Sequence, residues 1–159
     1  MEFRNPDKIE LKQFLAGFDW ISQHSYSPPY KICSHFTKDI FDKATKLDIR
    51  CACAIVNFEN NPICHSVVAF ETDHGLIYIE PQSGTEASIV EKKPYPNQLK
   101  EIPDGSTVRI VQLMWNDSMP PCWIFCADCD YILPTYEIFM PKCLECAGTN
   151  LRFEFPRDA

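Results

Sequence analysis

Apolar positions along the chain follow two different periods. Between residues 7 and 22, Leu11, Phe14, Leu15, Phe18 and Ile21 recur at three- and four-residue steps and share one face of a predicted helix. A polar break with Ser25, Ser27, Pro28 and Pro29 follows. A second helix is expected to begin near Tyr30 or Lys31, with Ile32, Phe36, Ile40, Ala44 and Leu47 as its apolar stripe. The period then shortens. Residues 50–58 (RCACAIVNF) predict a strand, with Asn60, Asn61 and Pro62 as a turn, and residues 65–70 and 76–80 predict two more strands around a polar loop ending in Gly75. Residues 81–106, rich in Pro, Ser, Gly and charge, predict a long loop with one short element at most. Residues 107–115 (TVRIVQLMW) predict a strand, and Pro120 and Pro121 mark a boundary.

This order, helices and then strands, implies an α+β fold with N-terminal helices packed on an antiparallel sheet. Residues 1–120 form the α+β domain in this reading, and residues 121–159 form a small appended zinc ribbon. The chain has 159 residues, 45% of them hydrophobic and 13% aromatic, enough for one ordinary core. Its net charge of −7 and the lack of a basic patch argue against a nucleic-acid ligand. The opening residues MEFRNPDKIELK lack the apolar stretch of an export signal, and no apolar run reaches the roughly 20 residues of a membrane helix. A cytoplasmic location is therefore expected. In that setting the nine cysteines point to metal ligation rather than disulfides.

The ribbon rests on two C-x-x-C pairs, Cys126/Cys129 and Cys143/Cys146, separated by thirteen residues. Each pair can hold one ion from a tight turn, and two pairs complete a tetrahedron of thiolates around Zn2+. Such a closed set leaves no open position, so the zinc is expected to be structural. The plainer alternative, four buried cysteines without an ion, sits poorly with the paired spacing. YILPTYEIFM between the pairs predicts strand, turn and strand, and Phe153 and Phe155 offer a third strand. Cys122 lies outside the pairs and is expected to pack rather than ligate. Residues 122–159 hold three Lys/Arg against six Asp/Glu, which favours a structural or protein-contacting ribbon over a phosphate-binding one.

Cys33 stands at the expected start of the second helix, where free backbone N–H groups and the helix dipole favour a thiolate. Taken alone it is either a small buried apolar group or a nucleophile. The predicted hairpin adds weight. With Phe70 opposite Gly75, Val67 faces Tyr78 and His65 faces Glu80, so that a carboxylate can orient an imidazole. His65 satisfied by a backbone carbonyl and Glu80 as a solvated strand end are the alternatives. Cys51 and Cys53 alternate with Ala52 and Ala54 as core. Cys64 should point away from His65, and His24, His35 and His74 are expected to be solvated.

The stretch YKICSHFTKDIFDKATKLDIRCACAIVNF…CHSVVAFETDHGLIYIEPQ resembles the core of the transglutaminase-like superfamily of papain-like cysteine enzymes. That family runs from a cysteine at a helix start to a histidine opening a strand, then to an acid ending the next strand. Cys33, His65 and Glu80-Pro81 match in order, at spacings of 32 and 15 residues. The resemblance covers residues 30–82. Val67 replaces the family's common aromatic, and Glu80 its common Asp. The resemblance implies a Cys33–His65–Glu80 triad for amide hydrolysis or acyl transfer on a protein or peptide. The backbone N–H of Cys33 would be one oxyanion donor and Gln23 or Trp20 would supply a second. The competing expectation is an inactive protein-binding module that contacts its partner through the ribbon.

Overall fold

The computed structural model describes residues 2–18, 33–59, 61–96, 99, 102–118, 120–135 and 142–155. Among these, two helices pack on a five-stranded antiparallel sheet, and a three-stranded C-terminal sheet carries the four-cysteine cluster. The expected α+β architecture is thus present.

Helix α1 (Lys8–Ala16) opens on Asp7, whose carboxylate accepts from the Glu10 N–H at 2.7 Å, an N-cap that satisfies one orphan donor. It ends at Ala16, with Gly17 as its C-cap, six residues before the predicted stop at 22. Leu11 and Phe14 are buried, and Phe18 is buried just past the helix. The expected position of Ile21 lies outside the described residues. Helix α2 (Cys33–Lys46) sets Phe36, Ile40 and Ala44 fully inside, as its stripe predicts, while Leu47 falls beyond the helix and is exposed. Ile32 and the predicted starting points Tyr30 and Lys31 lie outside the described residues. Truncating a buried side chain of the size of Phe36 or Ile40 costs about 2–5 kcal/mol, so this stripe anchors α2 on the sheet.

The large sheet has the order β4-β3-β2-β1-β5, with β1 (Ala52–Phe58), β2 (Asn61–Thr72), β3 (Gly75–Glu80), β4 (Thr85–Ala87) and β5 (Val108–Trp115). The period of two sends alternate side chains to opposite faces. Cys53, Ile55, Val68 and Phe70 join the cluster under the helices. Ala54, Val56, Val67 and Ala69 join a second cluster on the other face, covered by Ile89, Tyr95 and Ile102. Strand β2 begins at Asn61, earlier than expected, so Asn61 and Pro62 belong to the strand rather than to a turn.

The β2–β3 register also differs from the expected one. Thr72 pairs with Gly75, Ala69 with Tyr78 and Val68 with Ile79 around a two-residue turn at Asp73 and His74. The predicted four-residue turn is too long. Thr72 closes the tight turn, accepting from the His74 N–H at 3.1 Å and donating to the Gly75 carbonyl at 2.9 Å, with Gly75 at φ +98°. His65 and Glu80 are therefore not directly opposed.

The small sheet has the order β7-β6-β8, from β6 (Cys122–Cys126), β7 (Ile132–Thr135) and β8 (Leu151–Glu154). Phe153 lies in a strand as expected, whereas Phe155 falls just beyond it, and β6 was not expected as a strand. The second half of the predicted YILPTYEIFM hairpin lies mostly outside the described residues. Trp123 and Ile132 enter the same buried cluster as Phe41 and Ile40, and the Trp123 and Phe41 rings meet edge to face at 5.9 Å. Lys38 of α2 reaches Glu154 of β8 at 3.2 Å and lies over the Trp123 ring. Among the described residues no helix is long and apolar enough to cross a membrane.

Candidate functional site

Strand β3 pairs with β2 only as far as Val68. Beyond that point the start of α2 packs against β2 in place of β3. Thr37, fully buried, donates its hydroxyl to the Ser66 carbonyl at 3.1 Å, and the Ser66 hydroxyl lies 3.1 Å from Thr37 and 3.4 Å from Ser34. These contacts fix the first turn of α2 and with it Cys33. His65 shares the face of Val67 and Ala69, away from the helix-side cluster.

His65 and Glu80 are both 1% exposed. The imidazole Nε2 lies 3.1 and 3.0 Å from the two Glu80 carboxylate oxygens. Because the register places Val67 in the row with Glu80, the contact runs along the diagonal between neighbouring strands. The other ring nitrogen, Nδ1, is buried and has no hydrogen bond of good geometry among the described residues. Cys33 acts on the ring from close by.

Burial works against charge on both partners, pushing the Cys33 thiol up and the His65 imidazolium down. Attraction between them prevails. Cys33 ends below its ordinary value, helped by donors from Ser66. His65, held by Cys33 and Glu80, is pushed up to about 10. Burial raises Cys51, Cys53, Cys64 and Cys122 instead, so Cys33 alone is lowered among the described cysteines outside the four-sulfur cluster. Cys51 and Cys53 are fully buried core, as expected, and Cys64 packs toward the helix-side cluster. The His74 side chain is exposed. Trp20, Gln23 and His24 lie outside the described residues.

One neighbour escaped the sequence reading. Tyr95, from the segment between β4 and β5, donates its hydroxyl to Glu80 Oε2 at 2.8 Å, and its ring meets the His65 ring edge to face at 5.7 Å. Its only linear signal is an aromatic within a polar, proline-rich stretch.

The second cluster lies at the far end of β6. The sulfurs of Cys126, Cys129, Cys143 and Cys146 all fall within 4.8 Å of one another. Cys126 and Cys146 are 3.6 Å apart, and Cys129 and Cys143 are 3.7 Å apart. A tetrahedron with metal–sulfur bonds of about 2.3 Å has edges of about 3.8 Å, so the donor set fits one ion of that size. The two loops also share a backbone plan. In each, the first cysteine's N–H donates five residues onward, to Tyr131 or Gly148, and its carbonyl accepts from the residue four onward, Asp130 or Ala147. Asp130 and Ala147 both adopt positive φ, +57° and +56°, which non-glycine residues rarely do. Cys143 and Cys146 each accept a backbone N–H at 3.4 Å, from Glu145 and Gly148. Cys122 is buried in β6 and takes no part.

A groove of about 560 Å³ lies between α1 and β3, lined by Leu11, Leu15, Phe18, Ile77 and Ile79. It contains neither cluster and pairs no nucleophile with a base, so the chemistry is not assigned to it. No family model, curated protein or solved structure matches this chain, and its functional reading rests on the geometry of the two clusters.

Proposed function

We propose that this protein is a cysteine-dependent acyl-transfer enzyme acting on amide bonds of a protein or peptide, with the C-terminal cluster as a structural zinc site. The observation that carries this reading is the buried imidazole of His65, held at Nε2 by Glu80, with Cys33 close enough to act on the ring.

In this reading the Cys33 thiolate attacks the amide carbonyl carbon. The carbonyl oxygen takes up negative charge, and the backbone N–H of Cys33, in the first turn of α2, is a donor suited to it. The C–N bond then breaks, the amine leaves with the proton carried on His65 Nδ1, and a thioester on Cys33 remains. His65, now neutral, removes a proton from water or from an acceptor amine. That nucleophile displaces the Cys33 sulfur and regenerates the thiolate–imidazolium pair. Glu80 keeps the ring oriented through both half-reactions and faces the positive charge when His65 is protonated. The zinc would be held by Cys126, Cys129, Cys143 and Cys146, and with four thiolates it would supply folding energy rather than chemistry. The second reading, a binding module without turnover, draws support from Leu144 and Phe155, apolar side chains exposed on or beside the ribbon.

Incubation with p-nitrophenyl acetate followed by mass spectrometry separates the two. Acyl transfer places an acetyl group on Cys33 that decays with time, and His65→Ala slows both its arrival and its loss. Acetylation of Cys33 no faster than that of Cys51 or Cys53 would sink the enzymatic reading.

A further inference from the structure

Glu80 makes its contact with His65 obliquely. Pairing between β2 and β3 ends at Val68 and Ile79, one residue short of it, so strand pairing by itself does not hold the carboxylate at the ring. A glutamate has rotatable bonds enough to leave that position, and burial removes water as an alternative partner. Something else has to fix its second oxygen.

Tyr95 is built for that. Its hydroxyl donates to Glu80 Oε2 at 2.8 Å, while the same oxygen lies 3.0 Å from His65 Nε2. The ring is clamped from two sides, edge to face against Phe58 at 5.8 Å and against His65 at 5.7 Å. Its backbone is held as well, because the Tyr95 N–H donates to the Ser106 carbonyl at 2.9 Å beside the bridge between Pro94 and Thr107. Tyr95 thus has little freedom and ties the carboxylate to the Pro94–Thr107 bridge.

Building on the Cys33–His65–Glu80 reading, we infer that Tyr95 is a fourth, positioning residue of this site, fixing the Glu80 carboxylate so that Glu80 in turn presents His65 Nδ1 to Cys33. Tyr95 is assigned no contact with Cys33 or substrate in this scheme; its hydroxyl acts through Glu80, while its ring also borders His65.

The test is the pH profile of Cys33 alkylation by iodoacetamide, read by mass spectrometry in the zinc-loaded protein, for the parent, Tyr95→Phe, Glu80→Gln and the double variant. Tyr95→Phe keeps the ring and removes only the hydroxyl. It is expected to move the rise of the profile upward by about one pH unit, lowering the rate near about pH 6 roughly tenfold. The double variant is expected to be no slower than Glu80→Gln alone, because the two residues act as one chain. A role confined to packing would lower the melting temperature and leave the profile in place, and that outcome overturns the inference. Additive losses in the double variant overturn it too. Phe58→Leu, which loosens the Tyr95 ring from behind, serves as the second variant should Tyr95→Phe not fold. It should shift the profile the same way by a smaller amount, and an unmoved profile there counts against the inference. A parent profile that follows a free thiol defeats the underlying triad reading itself, whereas an activated parent with an unshifted Tyr95→Phe defeats the role of Tyr95 alone.

Discussion

Glu80 reaches His65 across the diagonal of the β2–β3 pair, with Nε2 3.1 and 3.0 Å from its two oxygens. Diagonal neighbours lie about 7–8 Å apart in the backbone, against about 4.5–5.5 Å for opposed ones. The extra methylene of glutamate over aspartate matches that longer span. The register thus accounts for the reach that the residue at position 80 needs to meet His65.

Glu80→Asp should therefore be harmful although the charge is kept. The shorter side chain falls short of Nε2 and leaves a buried carboxylate with a lost partner. Cys33 alkylation near about pH 6 is expected to slow about tenfold, approaching the effect of Glu80→Gln. An Asp variant with parental rates would show that reach is not what Glu80 supplies.

The pH dependence follows from opposite shifts on two coupled groups. Cys33 is lowered from 9.0 and His65 is raised from 6.5 to about 10. Between the lowered Cys33 value and about 10, the folded site holds one proton, on His65. The unfolded chain holds both protons below 6.5 and neither above 9.0. The depressed thiol contributes stability that is lost as pH falls through its folded value. The raised imidazole contributes stability that is lost as pH rises through about 10. Thermal melts of the parent minus those of Cys33→Ala should give a plateau near neutrality that declines on both sides. Alkylation should rise below the free-thiol range and show a second inflection near about 10, where His65 loses its proton. A single inflection at the free-thiol value would rule out the pair.

How much of this was legible in the linear chain depends on which property carried the information. Order and parity survived. Cys33 opens α2, and His65 and Glu80 share a face, even though the turn at Asp73 and His74 is two residues shorter than expected. A shift of one residue would have sent Glu80 to the helix side, whereas the actual change kept it on the His65 side and altered only its reach. The cysteine pairs were visible because ligand spacing is local. Tyr95 was hidden, since it arrives from a long irregular segment whose path no periodicity encodes. Nor did the ribbon's cysteine pattern reveal that Trp123 and Ile132 would join the core beneath α2.

That shared core leads to a prediction about zinc. Purified protein is expected to carry one zinc per chain by elemental analysis, and Cys143→Ser or Cys129→Ser should lose it. Asp130 and Ala147 sit at positive φ in the two loops, a conformation that a shared ion would help to hold. Removal of the ion with a chelator should loosen β6 and so reach Trp123 and Phe41. The melting temperature of the whole chain is then expected to fall by about 10 °C or more. An unchanged melt after complete zinc removal would refute this coupling.

Trp123→Ala tests the same coupling without touching a ligand. Trp123 is 1% exposed, meets Phe41 at 5.9 Å and lies beneath the Lys38 ammonium. Loss of so large a buried ring costs about 3–5 kcal/mol, a large share of the stability of a chain this size. Zinc content should remain at one per chain, because Trp123 contributes no ligand atom and the two loops hold the ion through their own backbone plan. The start of α2 should be disturbed as well, since Phe41, one turn beyond Thr37, loses its ring partner. The contact between Thr37 and Ser66 that seats Cys33 then weakens, and alkylation of Cys33 near about pH 6 is expected to slow severalfold. A variant that melts early yet keeps parental Cys33 reactivity would show that the ribbon supports the fold but not the site.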